Sequence, residues 1–122
     1  LSVDKYLEGE RLIKGLFDEA GLAYAGPEHD SITGLLRYLG SNESALRQRG
    51  ISKGRLKKLK VRIVNLRFAE IIEEYGLTKF GLQKIVPLYN LLIKNNMMNE
   101  AEELQILVDN VSVNKNLLLG RN

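Results

Sequence analysis

The chain contains no cysteine and no tryptophan, and only one histidine among its 122 residues. Without cysteine there is no disulfide framework, thiolate nucleophile or cysteine-based zinc site, and a reducing, cytoplasmic setting is expected. The single histidine, His29, stands between Glu28 and Asp30 without a second histidine to share a metal ion, so we interpret it as part of a solvated loop. Serine and threonine have no evident base partner. The sequence therefore predicts no cofactor, no metal and no catalysis of its own, and any enzymatic role would belong to a larger protein with this chain as a non-catalytic domain.

Long uncharged runs are also missing. The longest are too short to cross a bilayer, and Asp4, Lys5 and Glu8 interrupt the segment where a signal peptide would need an apolar run. We therefore expect no membrane partner. The length and the 44% apolar content predict one domain, residues 1–122. Because the chain begins without methionine, we expect this domain to come from a longer protein.

Glycine and asparagine punctuate a series of helical patterns, and no segment alternates as a strand would. The patterns predict an all-α fold, a compact bundle of six or seven helices with a long central helix at about residues 52–75. This helix carries apolar side chains on two faces, as a helix covered from both sides does. Farther along, we expect Thr78 to cap a helix, Pro87 to kink or divide it, and Asn99 to cap the last long helix.

Charge is distributed unevenly along the chain. The segment Ala45–Phe68 carries nine of the 18 Lys and Arg residues and no acidic residue, whereas the rest has nine basic residues against 15 acidic ones. This separation is typical of a basic surface that binds polyanions. The basic residues crowd the N-terminal end of the central helix, and Glu70, Glu73 and Glu74 its C-terminal end, in the order that the helix dipole disfavours. Helix stability does not explain this order, whereas phosphate binding at a helix N-terminus does.

The residues expected to contact nucleic acid lie at this end of the helix and just before it. Arg47 and Gln48 are the candidates for base contacts, and Gly54 would let a phosphate approach the backbone closely. The predicted set is Arg47, Gln48, Arg49, Ser52, Lys53, Gly54, Arg55, Lys57, Lys58 and Lys60. The alternative is a solvated face whose positive charges are balanced by acidic residues on neighbouring helices.

Residues 32–50, ITGLLRYLGSNESALRQRG, resemble the helix-turn-helix motif of DNA-binding domains. They offer a short helix, a turn at Gly40, Ser41 and Asn42, and a second helix with polar and basic residues facing outward. The resemblance implies that the second helix contacts DNA, and it continues directly into the basic segment.

Residues 68–86, FAEIIEEYGLTKFGLQKIV, resemble the same motif. Here Ile72 occupies a position that the motif keeps small, and the first helix is acidic, so we interpret this stretch as a packed helical corner. In size and architecture the chain is also similar to helix-bundle domains that accompany the catalytic domains of plasmid or viral replication proteins. That likeness implies a role in replication or transcription control.

Aromatic residues are scarce near the basic segment, where Tyr38 and Phe68 are the only candidates for stacking on bases. Duplex or partly duplex DNA is therefore the expected partner, with RNA as an alternative. A function of another class also stays open, a helical protein-interaction or oligomerisation module without nucleic-acid binding. The two apolar faces of the central helix and the apolar segment Leu88–Met98 would then be covered by a second copy, as a homodimer, or by the rest of a parent protein.

Overall fold

The computed structural model describes residues 2–76, 78–94 and 96–118, and the side chains of these residues except 2–3, 107 and 110–118. Within those residues there are seven helices and no strand. The helices are α1 (Ser2–Ala20), α2 (Ile32–Ser41), α3 (Glu43–Gln48), α4 (Lys53–Tyr75), α5 (Lys79–Gln83), α6 (Ile85–Lys94) and α7 (Met98–Leu118). The predicted all-α fold and the long helix are confirmed. No helix in this part of the chain is both long enough and apolar enough to cross a membrane.

The chain divides into two compact units at Arg67 and Phe68, within α4. The first unit contains α1, α2, α3 and the beginning of α4, and α2 packs against both α1 and α3. Its most deeply buried side chains are apolar and come from all four of these helices: Ile13, Phe17, Ile32, Leu35, Leu36, Leu39, Leu46, Leu56 and Ile63. Burial of this surface stabilises the unit by roughly 25 cal/mol per Å² of apolar area removed from water.

Helix ends in the first unit are set by local sequence. The side chain of Ser31 accepts a hydrogen bond from the amide of Gly34 at 3.0 Å and so caps α2. After α1 and α3 the chain turns at Gly21 and Gly50, whose φ angles are 70° and 95°. Because this backbone region suits glycine, both helices end in the hydrogen-bonded reversal common at helix C-termini.

A cluster of aromatic rings ties the loop after α1 to α1 and α2. The ring of Phe17 lies 5.6 Å from that of Tyr24 and 5.3 Å from that of Tyr38. The hydroxyls of Tyr24 and Tyr6 donate to Glu10 at 3.1 and 3.3 Å, and the Tyr6 hydroxyl also lies 3.3 Å from the carboxylate of Asp30. The cluster therefore holds the chain between the two helices.

The second unit contains the end of α4 and α5, α6 and α7, with α6 packed against α5 and α7. Thr78 caps α5 by accepting a hydrogen bond from the amide of Gly81 at 3.0 Å, as predicted. The predicted division near Pro87 is also confirmed, because α5 ends at Gln83 and α6 begins at Ile85. Proline has no N–H to donate to the carbonyl four residues earlier, which here is that of Gln83.

The predicted cap at Asn99 is wrong. Helix α7 begins at Met98, and the amide of Ala101 donates to the carbonyl of Met97 at 3.0 Å, so that Asn99 lies within the first turn. The reason is a tertiary contact. Met97 is 4% exposed, and its amide donates to the carbonyl of Leu92 in α6 at 2.9 Å, so this buried residue determines where α7 starts.

Candidate nucleic-acid interface

The N-terminal end of α4 is exposed, as predicted. The hydroxyl oxygen of Ser52 accepts a hydrogen bond from the amide of Arg55 at 3.2 Å, which makes Ser52 the cap of α4. Lys53 and Gly54 in the first turn are exposed. Apart from the chain neighbours of Gly54 and the backbone of its own helix, no atom lies within 4 Å of the position that a Cβ would take there. A ligand can therefore reach the backbone here.

Five cationic side chains around the connection from α3 to α4 are exposed and form no ion pair within the described part of the chain: Arg47, Arg49, Lys53, Lys57 and Lys58. We call these five residues the basic patch. Arg49 is held in place, because its Nη1 donates to the carbonyl oxygen of Gly21 at 3.3 Å. The other four side chains extend from α3 and from the first two turns of α4.

Three other cations of α4 are bound by carboxylates from neighbouring helices. Arg55 is paired with Glu19 of α1. Arg62 is paired with Glu8 of α1 at 2.6 Å between Nη2 and Oε2. Lys60 is paired with Glu43 of α3. The alternative interpretation, in which neighbouring acids balance the charge, therefore holds for these three residues and not for the basic patch.

Lys60 is a correction to the predicted phosphate-binding set. It is only 8% exposed, and its ammonium group is held by Glu43. The sequence contained a signal for the burial of Lys60, because this residue lies four residues after Leu56 and three before Ile63, on the same face of the helix. Both neighbours are fully buried. Lys60 therefore links α4 to α3 through an ion pair, and we leave it out of the candidate nucleic-acid interface.

The two ion pairs with α1 also stabilise the charged form of their carboxylates. The hydrogen bond from Arg62 lowers the pKa of the Glu8 carboxyl, and that from Arg55 lowers the pKa of the Glu19 carboxyl. The same contact raises the pKa of the Arg55 guanidinium. Both carboxylates are therefore anionic at neutral pH, and each occupies the position that another anion would take beside its arginine.

The α2–α3 corner, which resembles a helix-turn-helix, has a short connection. Only Asn42 lies between the two helices, whereas the motif usually has a turn of three or four residues. The Asn42 side chain donates to the carbonyl of Tyr38 at 2.8 Å, so it is not free to contact a base. Helix α3 is six residues long, and Arg47 and Gln48 near its end are exposed. Base contacts by these two residues stay a prediction.

Neither aromatic candidate for base stacking is fully exposed. The ring of Tyr38 stacks on Phe17, and its hydroxyl accepts a hydrogen bond from the amide of Ala25 at 3.0 Å. Phe68 is half-buried. The exposed groups are therefore cations and amides suited to phosphates, not platforms for bases.

A feature that the sequence did not reveal is a groove between α1 and α4 with a volume of about 860 Å³. Four cations line it: Arg11, Arg55, Lys58 and Arg62. Arg11 comes from α1, and the other three come from α4. Only the packing of the two helices brings these charges together.

The loop residues Glu28, His29 and Asp30 are exposed. In the part of the chain that the structure describes, no three His, Cys, Asp or Glu side chains come together in a way that could hold a metal ion.

No protein-family model, no curated protein and no solved structure matches this chain. The functional conclusion therefore rests on the charges and contacts of the chain itself.

Proposed function

We propose that the first unit binds nucleic acid, with duplex DNA as the preferred partner, through the basic patch. The observation that carries this proposal is the division of the cations of the basic segment. Of its nine Lys and Arg residues, three are paired with carboxylates of neighbouring helices and Arg67 is half-buried. The five of the basic patch are exposed and have no such partner in the described structure. Phosphates of a nucleic-acid backbone supply the missing counter-charge.

The position of the patch supports the same proposal. Lys53 lies in the first turn of α4, where the helix dipole disfavours a positive charge and favours an anion. No acidic residue lies in that turn. A phosphate bound there would interact with the amides of the first turn and with the lysine side chain at once.

Duplex DNA is preferred over an extended single strand because the patch offers no ring on which bases could stack. Lysine and arginine side chains bind the backbone of any sequence, whereas base edges specify sequence. We therefore expect binding with little sequence preference, except where Arg47 and Gln48 reach base edges. A place in replication or transcription control belongs to this proposal as its biological context.

The test is a binding titration with a fluorescent DNA duplex at several salt concentrations. With five phosphates engaged by the five cations of the patch, log affinity should fall against log salt with a slope of about −4.5. The same titration with single-stranded DNA and with duplex RNA of equal length ranks the alternative partners. A slope near zero, or no binding to any of the three at low salt, would contradict the proposal.

A second candidate function, contact with a second copy of the chain, is favoured by the apolar surface of the second unit. Phe80, Val86, Met98 and Ile106 are each more than half exposed. Val86 also lines an apolar cleft of about 120 Å³ between α6 and α7. In a dimer with two-fold symmetry, the exposed apolar side chains and the cleft of one copy would lie against the same features of the other copy. The mass in solution, measured by sedimentation equilibrium with and without Val86→Lys, decides between a monomer and a dimer built on this surface.

A further inference from the structure

The groove between α1 and α4 has a positive lining with two carboxylates bound to it. Its four cations face one acidic residue of the lining, Glu19. Glu19 is paired with Arg55, and Glu8 with Arg62. Lys58 lines the groove and also belongs to the basic patch, so the two surfaces are continuous on α4.

Both ion pairs are exposed to solvent. Half of the side-chain surface of Arg55 and Glu19 is accessible, at 49% and 52%, and the side chains of Arg62 and Glu8 are 60% and 34% accessible. Exposed ion pairs stabilise a protein little, because water screens them. Exchange of the carboxylate for another anion at the same guanidinium therefore costs little free energy. A phosphate can accept two hydrogen bonds from the planar guanidinium of an arginine.

Arg55 and Arg62 lie seven residues apart on α4, which places them on one side of the helix and about 10 Å apart along its axis. Successive phosphates of one B-DNA strand advance by about 3.4 Å along the duplex, so this distance corresponds to about three phosphates. The groove therefore has the length and charge to follow a short stretch of backbone beyond the basic patch.

We infer that the α1–α4 groove is a second phosphate-binding track of the proposed DNA-binding surface, in which the carboxylates of Glu19 and Glu8 occupy the anion positions of Arg55 and Arg62 and compete with DNA for them. This inference rests on the proposed function. The two glutamates then act as competitors that limit affinity, so that only a polyanion already held by the basic patch gains the additional contacts.

The test compares Glu19→Gln with Asp18→Asn. Each substitution raises the net charge from +3 by one unit without a large change in shape. Asp18 is the neighbouring residue on α1, is exposed, and forms no ion pair within the described residues. The two variants therefore exert the same long-range electrostatic effect, but only Glu19→Gln releases Arg55.

In the salt titration with duplex DNA, Glu19→Gln should bind about three- to tenfold more tightly at 0.1 M salt than Asp18→Asn, because Glu19 no longer competes with phosphate for Arg55. The slope should be steeper by up to about 0.9, the value for one phosphate contact. Glu8→Gln should have a similar effect through Arg62. Adding Arg55→Gln to Glu19→Gln should abolish the gain of the latter, which shows that Arg55 makes the new contact.

Two outcomes overturn the inference in different ways. If the unmodified protein binds DNA but Glu19→Gln and Asp18→Asn have equal affinities and slopes, the groove is not a phosphate track and the proposed function stands. If neither the unmodified protein nor any variant binds DNA, the inference and the proposed function fail together. A melting curve for each variant confirms that the compared proteins are folded at the temperature of the titration.

Discussion

Replacing Lys53, Lys57 and Lys58 by glutamine at once should raise the stability of the free protein and weaken its binding to DNA. The three side chains are exposed and have no carboxylate partner in the described structure, so the substitution breaks no ion pair. Glutamine and lysine have similar helix propensities. The change therefore isolates the effect of the three charges.

The gain in stability can be worked out from the positions on α4. Lys53 lies in the first turn, where removing a positive charge is worth about 0.3–1 kcal/mol, whereas Lys57 and Lys58 lie in the second turn, beyond the main reach of the dipole. Lys53 and Lys57 are also four residues apart, and a like-charge pair at this spacing costs about 0.2–0.5 kcal/mol. The free energy of unfolding should thus rise by about 0.5–1.5 kcal/mol, which corresponds to an increase of about 2–6 °C in Tm.

The loss of binding follows from the phosphate contacts. Three fewer contacts should reduce the salt slope by about 2.7, from about −4.5 to about −1.8, and should weaken binding on the order of a hundredfold at 0.1 M salt. Calorimetry gives Tm, and the fluorescence titration gives affinity and slope. The matched control replaces the same three lysines by arginine, which keeps the charge, and should neither raise Tm by this mechanism nor reduce the slope.

A lower Tm together with unchanged DNA affinity would refute this reasoning. Such a result would mean that the three lysines are stabilised by acidic groups of the folded protein, as in the alternative interpretation of the basic segment. Loss of binding in both the glutamine and the arginine variants would instead show that side-chain shape, and not charge, determines the interaction.

Three further predictions concern stability. Glu43→Gln should lower the free energy of unfolding, measured by urea denaturation, by about 1–3 kcal/mol because the buried ammonium of Lys60 loses its carboxylate. Adding Lys60→Met should restore most of this loss. If the single variant loses no stability, the pair contributes nothing. Gly34→Ala should destabilise the protein by about 1–3 kcal/mol because its Cβ would lie 2.4 Å from a loop carbonyl oxygen. Gly40→Ala in the same helix would meet no atom within 4 Å outside its chain neighbours and the helix backbone, and should stabilise the protein by about 0.5–1 kcal/mol; equal effects of the two would contradict the packing. Burial and the neighbouring carboxylates raise the pKa of Tyr6 from 10.0 to about 12. As the pH rises, the unfolded state therefore loses this proton first, and Tm should fall between about pH 10 and 12. Tyr6→Phe should make part of that fall less steep, and a pH profile identical to that of the unmodified protein would exclude this contribution.

The positions of most helices could be predicted from the sequence because the signals that begin and end them are local. Thr78 caps α5, as the pattern indicated. Gly21, one of the glycines that punctuate the helical patterns, follows the end of α1. The gap between α5 and α6 follows from a single proline that lacks an amide proton. In each case the decisive groups lie within about four residues of one another.

The start of α7 and the role of Lys60 were predicted wrongly for related reasons. Asn99 is a good cap by residue type, but the burial of Met97 against α6 starts the helix earlier. Lys60 is basic within a basic run, but the packing of α3 on α4 buries it beside Glu43. In both cases a contact with a residue outside the local segment had a larger effect on the free energy than the local preference did.

The sequence by itself determined that this protein is helical and that half of its positive charge is concentrated in one segment of 24 residues. It could not determine which of those charges are available to a ligand. That division was decided by tertiary structure, because the partners Glu43, Glu19 and Glu8 lie 17, 36 and 54 residues away from their cations in the chain. Coulombic pairing depends on distance in space, and only the folded packing of α1 and α3 against α4 brings these carboxylates to three cations while leaving the basic patch exposed.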